Sequence, residues 1–195
     1  MQTTKAKTIP SAVLDRVVRG NAAANVLLVA AGSMLVALAA QVAINIPFTP
    51  VPLTLQPMAV LLVAVVLGST RGAAAMALYL LEGASGLPVF AQGHGGIAWL
   101  IAAPTAGYLW SYPAAAWVAG WFSERGWGST TLRSVAGMLS ALVVIYLGGW
   151  SWLAVFSGPA AAFSMGIAPF FIADLVKIGI GATMLPWAQK FVTRG

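Results

Sequence analysis

Asp174 and Lys177 are the two charged side chains placed where they could act on a bound molecule, because they interrupt an otherwise apolar stretch, SMGIAPFFIADLVKIGIGATMLPW. An ionisable group in the bilayer core costs about 2.5–3.5 kcal/mol on insertion scales, so in a membrane segment it marks a functional site. A spacing of three residues puts both side chains on one face of a helix, where they can meet each other and a polar ligand. The alternative is a structural ion pair that apolar residues could replace at little cost.

Two loops without charged residues supply further candidate contacts for a ligand. The first, FTPVPLTLQ, leads to Gln56, and the second, GLPVFAQGHGG, carries Phe90, Gln92 and His94. A pocket roofed by these loops and floored by the Asp174–Lys177 helix would suit a small amphipathic solute, since aromatic rings give apolar contact area and polar groups orient the solute. The predicted substrate-binding residues are Gln56, Tyr79, Phe90, Gln92, His94, Tyr108, Asp174 and Lys177.

Simpler interpretations exist for three of these residues. A lone histidine in a glycine-rich loop, as at His94, is more often a surface residue than a ligand contact. Gln56 could instead form a hydrogen bond between two membrane helices. Tyr79 could mark the outer membrane interface, where tyrosine is enriched. The residue types alone leave these alternatives open.

The composition of the chain identifies it as a membrane protein. Of its 195 residues, 60% are hydrophobic and 7% are charged, and the mean hydropathy is +0.90. A water-soluble domain needs more polar groups to cover its surface. The uncharged stretches 20–70 and 83–123 are each longer than the ~20 apolar residues that one spanning helix needs. We therefore predict an all-α integral membrane protein with a single transmembrane substrate-binding domain over 1–195, in which 1–20 is a cytoplasmic N-terminal segment.

The apolar runs between glycine, proline and charged residues predict six transmembrane helices. The fourth of them contains Pro104 and Pro113, so it should be kinked or interrupted there. Boundaries read from such patterns are accurate to a few residues. The predicted helices cover about 23–46, 53–69, 72–83, 97–122, 133–155 and 165–188.

The distribution of basic residues predicts the orientation of these helices. With a cytoplasmic N-terminus, every basic residue except Lys177 falls in a cytoplasmic segment, and the outer loops have none, as the positive-inside rule requires. The prediction is therefore six spans, N-in/C-in. The net charge of +6 then reflects topology and attraction to anionic membrane lipid, and it requires no nucleic acid partner. The cytoplasmic basic residues are Lys5, Lys7, Arg16, Arg19, Arg71, Arg125, Arg133, Lys190 and Arg194.

The signatures of several enzyme and pump classes are missing from the sequence. It contains no GxxxxGK[ST], HExxH or GxSxG motif and no Cys, and it has one His and four acidic residues. No catalytic residue, metal site or cofactor is therefore predicted, and the chain is not expected to be an enzyme. A single intramembrane acid–base pair is also less than an ion-coupling relay needs. Uphill movement of a solute would then depend on a partner that supplies the energy.

Four blocks of the sequence stand out together: PVPLTLQ (50–56), ALYLLEGASGLPVFAQGHGG (77–96), APTAGYLW (103–110) and ADLVK (173–177). They resemble the BioY family, the biotin-specific S components of energy-coupling factor (ECF) transporters, and the similarity runs from about residue 30 to 188. The chain departs from the family pattern at Ala103, Ala106 and Ala173, where the family usually has glycine. These changes exchange one small residue for another and leave the neighbouring polar residues in place.

The resemblance implies a six-helix, ECF S-component-like bundle in the cell membrane of a prokaryote that captures biotin from outside. It implies partners as well, a transmembrane coupling protein and two cytoplasmic ATPases of the ECF module, whose ATP cycle delivers biotin inward. In the family the acid and lysine of the last helix contact polar groups of biotin, which corresponds to Asp174 and Lys177 here. The outer loops act as lids, which corresponds to the segments around Gln56 and 90–94. Small residues of the first helix contact the coupling protein, and Ser33 and Ala37 are the nearest match.

Two other functions remain open from the sequence. The chain could be an S component for a different small vitamin, because the fold alone does not fix the ligand. It could also be a small integral-membrane enzyme or scaffold built around the Asp174–Lys177 pair. A vitamin that co-purifies with the protein favours a binder, whereas turnover of a lipid-like substrate favours an enzyme.

Overall fold

The structure is a computed structural model that describes residues 21–127 and 130–192, and for 184–192 it describes the helical backbone alone. The described residues form α1 (Ala22–Gln41), α2 (Gln56–Leu67), α3 (Ser69–Ala84), α4 (Ile97–Ala102), α5 (Ala106–Glu124), α6 (Thr131–Ser157), α7 (Pro159–Gly166) and α8 (Ala168–Val192). Between α1 and α2 lies a short antiparallel pair, β1 (Ala43–Ile44) and β2 (Leu53–Thr54). A 3₁₀ turn covers Ala91–Gly93. The fold is therefore mainly helical, as predicted.

The first helix is shorter than the sequence pattern predicts. The side chain of Asn21 caps its start by accepting a hydrogen bond from the Ala24 amide at 3.1 Å. The helix ends at Gln41 and not near residue 46, because the following residues pair with β2, Ala43 opposite Thr54. Residues 42–55 form a hairpin, and the second helix starts at 56, three residues later than predicted.

Two of the predicted helices are each divided in the structure. The predicted helix 97–122 consists of α4 and α5, separated at 103–105. Ala103 there is extended (ψ 140°) since it precedes Pro104, and a residue before proline avoids the helical conformation. Pro113, in contrast, lies inside α5 without ending it. The predicted helix 165–188 begins at residue 168, and the separate helix α7 precedes it.

Length and hydropathy single out two candidate membrane spans among the described residues, and a third if a bent helix pair counts as one span. Helices α1 and α6 are each long and apolar enough to cross a membrane, with mean hydropathy 2.1 and 1.8 in their best windows. Helix α7 and the first part of α8, 168–183, meet at a bend of 40°. Together they form the third candidate if this bent pair counts as one span. Helix α2 is apolar but has only 12 residues.

The core of the bundle is formed around α5, which packs against α2, α3 and α6. Many of the buried residues at these contacts are small, among them Ala64, Ala75, Ala115, Ala116 and Ala141. Small side chains let helices approach closely, and the resulting van der Waals contact contributes to the association of membrane helices. This packing holds the helices that carry the site in fixed relative positions.

A tight turn joins α2 to α3 at the end of the bundle that lies away from the hairpin. Gly68 in this turn has φ +85°, a conformation that favours glycine. The Glu124 carboxylate at the end of α5 accepts hydrogen bonds from the amide and the hydroxyl of Ser69, at 2.7 and 2.9 Å. A carboxylate at a helix N-terminus is stabilised by the helix dipole, so Glu124 has a capping role in the described structure.

Candidate ligand-binding site

A pocket opens at the end of the bundle where the hairpin meets the segment 88–96, which we call the roof segment. Apolar and aromatic groups form most of its wall and a few polar side chains converge on it, as is usual for a small-molecule site. The lining residues are Pro50, Val51, Pro52, Leu53, Thr54, Gln56, Pro57, Phe90, Ala91, Gln92, Trp99, Thr105, Tyr108, Leu109, Tyr112, Ile145, Tyr146, Gly166, Phe170, Asp174 and Lys177.

Asp174 and Lys177 form an ion pair in this wall, with Lys177 Nζ 2.8 Å from Asp174 Oδ1. Asp174 is buried, and its second oxygen, Oδ2, accepts a hydrogen bond from the Tyr146 hydroxyl at 2.7 Å. Lys177 also donates to the backbone oxygen of Thr54 at 2.7 Å. A buried charge is tolerable only when it is paired and hydrogen-bonded, and both charges meet that condition here.

Gln56 is buried at the start of α2 and belongs to a second polar group in the pocket. Its Nε2 donates to the Tyr79 hydroxyl at 2.7 Å, and its Oε1 accepts from the Thr54 hydroxyl at 3.3 Å. Because Thr54 also receives the Lys177 bond, the amide and the ion pair are joined through one hairpin residue. The polar groups of the pocket thus form a connected network.

The roof segment is held on the end of α3 by backbone contacts. A Cβ at Gly83 would overlap the ring of the buried residue Phe90, so glycine is needed for this close approach. The amide of Gly96 donates to the Gly83 oxygen at 2.6 Å. Gln41, at the end of α1, donates to the backbone oxygens of Pro88 and Phe90 at 3.4 and 3.3 Å. The position of Phe90 over the pocket is therefore fixed from two helices.

The hairpin contacts both the roof segment and the α7–α8 break. Among the described residues, Gln92 is the one non-glycine residue with a positive φ (62°). Its side-chain amide donates a hydrogen bond to Asn45 of the hairpin. On the other side, the Thr49 hydroxyl donates to the backbone oxygen of Met165 at 2.7 Å. These two contacts hold the hairpin across the mouth of the pocket.

Aromatic donors stabilise the two helix breaks beside the pocket. The Tyr108 hydroxyl donates to the Gly166 oxygen at 2.7 Å, where α7 ends. The indole N–H of Trp152 donates to the Ala103 oxygen at 3.0 Å, where α4 ends. Backbone groups freed at a helix break must find partners within a membrane protein, and these side chains supply them.

The structure brings six of the eight predicted substrate-binding residues together in the pocket wall. These are Gln56, Phe90, Gln92, Tyr108, Asp174 and Lys177. The other two lie behind the wall: Tyr79 is fully buried beneath Gln56, and His94 stacks on the lining residue Trp99 at 3.7 Å between ring centroids. The six lining residues are thus grouped around one pocket, and their contact with a ligand is a prediction.

The expected partner contact through Ser33 and Ala37 does not agree with their burial. Ser33 is 0% exposed and Ala37 is 7% exposed, because this face of α1 packs against its neighbours α2 and α3. The Ser33 hydroxyl donates to the carboxylate of Glu82 on α3. The exposed surface of α1 lies on the opposite face, with Leu27, Met34 and Leu38.

The sequence pattern missed Tyr146 and Tyr112 as lining residues. Tyr146 lies on α6, 28 positions before its partner Asp174, and a tyrosine within a long apolar run carries no signal that it faces an acid on another helix. Tyr112 lies on α5 and stacks on Tyr79 with ring centroids 6.5 Å apart. An ionisable residue in a membrane segment indicates that a polar partner exists, but sequence spacing alone does not identify it.

Comparison with solved structures finds the same fold in the crystal structure of the S-component for biotin from an ECF-type ABC transporter. The TM-score is 0.73 at 21% sequence identity, over 85% of this chain and 90% of that one. At this identity the similarity concerns the fold.

Sequence comparison finds closer relatives. A probable biotin transporter BioY of Pyrococcus horikoshii is 41% identical over 155 residues, which are 80% of this chain and 90% of the relative. The biotin transporter BioY of Rhizobium etli is 37% identical over 78% of this chain and 85% of the relative, and that of Thermotoga maritima is 38% identical over 71% and 81%. The model of the BioY family matches residues 6–194, nearly the whole length. The chain therefore belongs to the BioY family.

Proposed function

We propose that this chain is the biotin-binding membrane subunit, the S component, of an ECF-type ABC transporter. The single observation that carries the proposal is the pocket in which a buried Asp174–Lys177 pair, the Gln56 amide and several aromatic rings converge in a member of the BioY family. The protein binds and releases biotin without changing it, so it is a transport protein and not an enzyme.

Biotin has three chemically different parts, and the pocket offers a partner for each. Its ureido ring needs hydrogen-bond donors and acceptors, which the Gln56 amide and Asp174 supply. Its apolar thioether ring needs contact area, which Phe90 and Tyr108 supply. Its carboxylate needs a cation, and in the part of the pocket that the structure describes this is Lys177. Three bonds are possible for an ammonium group, and Lys177 uses two of them within the chain.

We further propose that the described helices make six spans with both termini in the cytoplasm. In this arrangement α4 and α5 together make one interrupted span, and α7 and α8 make another. Irregular backbone at membrane depth is tolerated where it lines a cavity, and both breaks border the pocket. Arg71 and Arg133 belong to the end of the bundle away from the pocket, which favours a pocket that opens outward in the plasma membrane of a prokaryote.

The proposed partners are a transmembrane coupling protein and the two cytoplasmic ATPases of the ECF module. The chain has no nucleotide-binding loop, so ATP hydrolysis must occur on another subunit. The exposed face of α1 that carries Leu27, Met34 and Leu38 is apolar and has no partner within the described chain. We propose this face as the contact for the coupling protein, in place of the buried residues Ser33 and Ala37.

Calorimetric titration of the purified protein tests the proposal directly. Biotin should bind to one site without ATP or an ion gradient, and other vitamins of similar size should bind much more weakly. Tight binding of a different vitamin would assign the pocket to that ligand. Absence of binding by any vitamin, together with turnover of a lipid-like substrate, would indicate an enzyme.

A further inference from the structure

Tyr79 is 0% exposed and lies behind the pocket wall, yet its hydroxyl joins two parts of the site. The hydroxyl donates a hydrogen bond to the backbone oxygen of Val89 at 3.0 Å. The hydroxyl oxygen of Tyr79 also accepts a hydrogen bond, from Nε2 of Gln56 at 2.7 Å. Val89 immediately precedes Phe90 of the roof, and Gln56 lines the pocket. One buried hydroxyl therefore connects the roof segment with a pocket-lining amide.

The Val89 backbone oxygen, the Tyr79 hydroxyl and the Gln56 amide form hydrogen bonds whose directions follow from their chemistry. The backbone oxygen of Val89 can only accept, so the single hydroxyl proton of Tyr79 is used there. The Tyr79 oxygen can then act only as an acceptor toward Gln56, which must present its NH₂ group and not its carbonyl. The Gln56 carbonyl consequently faces Thr54, whose hydroxyl is placed to donate to it. The amide has a single orientation in this network.

The ring of Tyr79 is itself held in place on two sides. It meets the Phe90 ring edge-on, with centroids 5.5 Å apart and planes at 77°. It stacks on the Tyr112 ring with centroids 6.5 Å apart and planes at 28°. Such aromatic contacts restrict the ring beyond what burial alone does. The hydroxyl therefore cannot turn away from Gln56 to find another partner.

We propose that Tyr79 is a positioning residue for ligand binding, which sets the orientation of the Gln56 amide through its hydroxyl. The inference rests on the proposed function, since it assumes that Gln56 contacts biotin. With one N–H given to Tyr79 and one carbonyl lone pair given to Thr54, the amide keeps one N–H and one lone pair for the ligand. A ureido group offers the complementary acceptor and donor, so the orientation of the amide decides whether both bonds can form.

Replacing Tyr79 by Phe removes the hydroxyl and keeps the ring. The Gln56 amide then loses its fixed acceptor and can rotate, and biotin must restrict that rotation when it binds. We expect the Kd for biotin to rise roughly fivefold to tenfold, the effect of about one hydrogen bond. Because Tyr79 acts through Gln56, its replacement should have little further effect once the Gln56 amide is absent.

A double-mutant cycle tests this dependence. Biotin binding is measured by calorimetry for the wild type, Tyr79→Phe, Gln56→Met and the double variant, and thermal unfolding without ligand checks that each is folded. The double variant should bind biotin as Gln56→Met does. The inference is overturned if Tyr79→Phe binds like the wild type, or if it weakens binding by the same factor in both Gln56 backgrounds. If Gln56→Met does not purify, Gln56→Ala takes its place in the cycle.

Gln41 provides a matched control, because it holds the same roof segment without bonding to Gln56. Its side chain contacts the backbone oxygens of Pro88 and Phe90, on either side of Val89. Gln41→Ala should change the Kd by the same factor in both Gln56 backgrounds, and a purely structural role would make Tyr79→Phe behave in this way. The two proposals fail differently: a wild type that does not bind biotin refutes the proposed function, whereas a binding wild type with an additive Tyr79 cycle refutes only this inference.

Discussion

Tyr146 on α6 donates a 2.7 Å hydrogen bond to Oδ2 of Asp174 on α8, while Lys177 pairs with the other oxygen of the same carboxylate. Both oxygens of the acid are thus engaged within the chain. The lysine is engaged as well, through Asp174 and the backbone oxygen of Thr54. An incoming ligand therefore meets a preorganised, overall neutral pair, and the side chains that contact it need little rearrangement.

The first prediction concerns this hydrogen bond. Tyr146→Phe should lower the free energy of unfolding by about 1.5 kcal/mol, because a bond from a neutral donor to a buried carboxylate is lost. Thermal unfolding of the purified protein in detergent measures the change. Ser140→Ala is the control, because it removes another hydroxyl from α6. The Ser140 hydroxyl bonds to the Ala136 oxygen within the same helix. An equal and small effect of both variants would mean that the Tyr146 bond contributes nothing to stability.

The second prediction separates a ligand-binding role of the ion pair from a purely structural one. Asp174→Ala or Lys177→Ala should each weaken biotin binding by at least about 1.5 kcal/mol, more than tenfold, since a hydrogen bond to a charged group is lost. The double replacement Asp174→Leu with Lys177→Met removes both charges and leaves no unpaired one behind. It should restore stability without restoring affinity. Full affinity in the double variant would show that the pair has only a structural role.

How far the sequence determines the site differs from residue to residue. Asp174 and Lys177 could be predicted because charge in an apolar helix is rare, and their spacing of three predicts the pair that the structure contains. Gln56, Phe90 and Gln92 were identifiable from the loops that carry them. These signals are local, so a single segment is enough to read them.

Contacts between distant segments could not be predicted in the same way. The bond of Tyr146 to Asp174 and the burial of Ser33 against Glu82 depend on how helices rotate about their axes. In a chain where every face of a helix is apolar, no periodicity distinguishes the face that meets lipid from the face that meets protein. The helix breaks were only partly predictable, because Pro104 ends a helix whereas Pro113 is accommodated inside one.

The third prediction concerns the orientation in the membrane. Ser85 lies at the pocket end of α3, and Leu132 is an 80% exposed residue at the start of α6, at the other end. Cysteine at Ser85 should react with an impermeant thiol reagent in intact cells, and cysteine at Leu132 should react only after the cells are opened. The natural chain has no cysteine, so no background labelling is expected. Labelling of the Leu132 variant in intact cells would contradict the N-in/C-in arrangement.

The last prediction concerns the energy source and the coupling face of α1. Vesicles that contain this chain alone should bind biotin without accumulating it, because the chain has no nucleotide-binding loop and the described helices hold few ionisable groups besides the Asp174–Lys177 pair. Uptake against a gradient should require the coupling protein and active ATPases.

In that complete system Met34→Trp should abolish uptake and leave binding nearly unchanged, since a bulky residue on the exposed face of α1 obstructs helix approach. Val143→Trp, which adds the same bulk to an exposed site on α6, should leave uptake intact. Accumulation by the chain alone would instead identify a secondary transporter, and equal loss of uptake in both tryptophan variants would remove α1 as the specific coupling face.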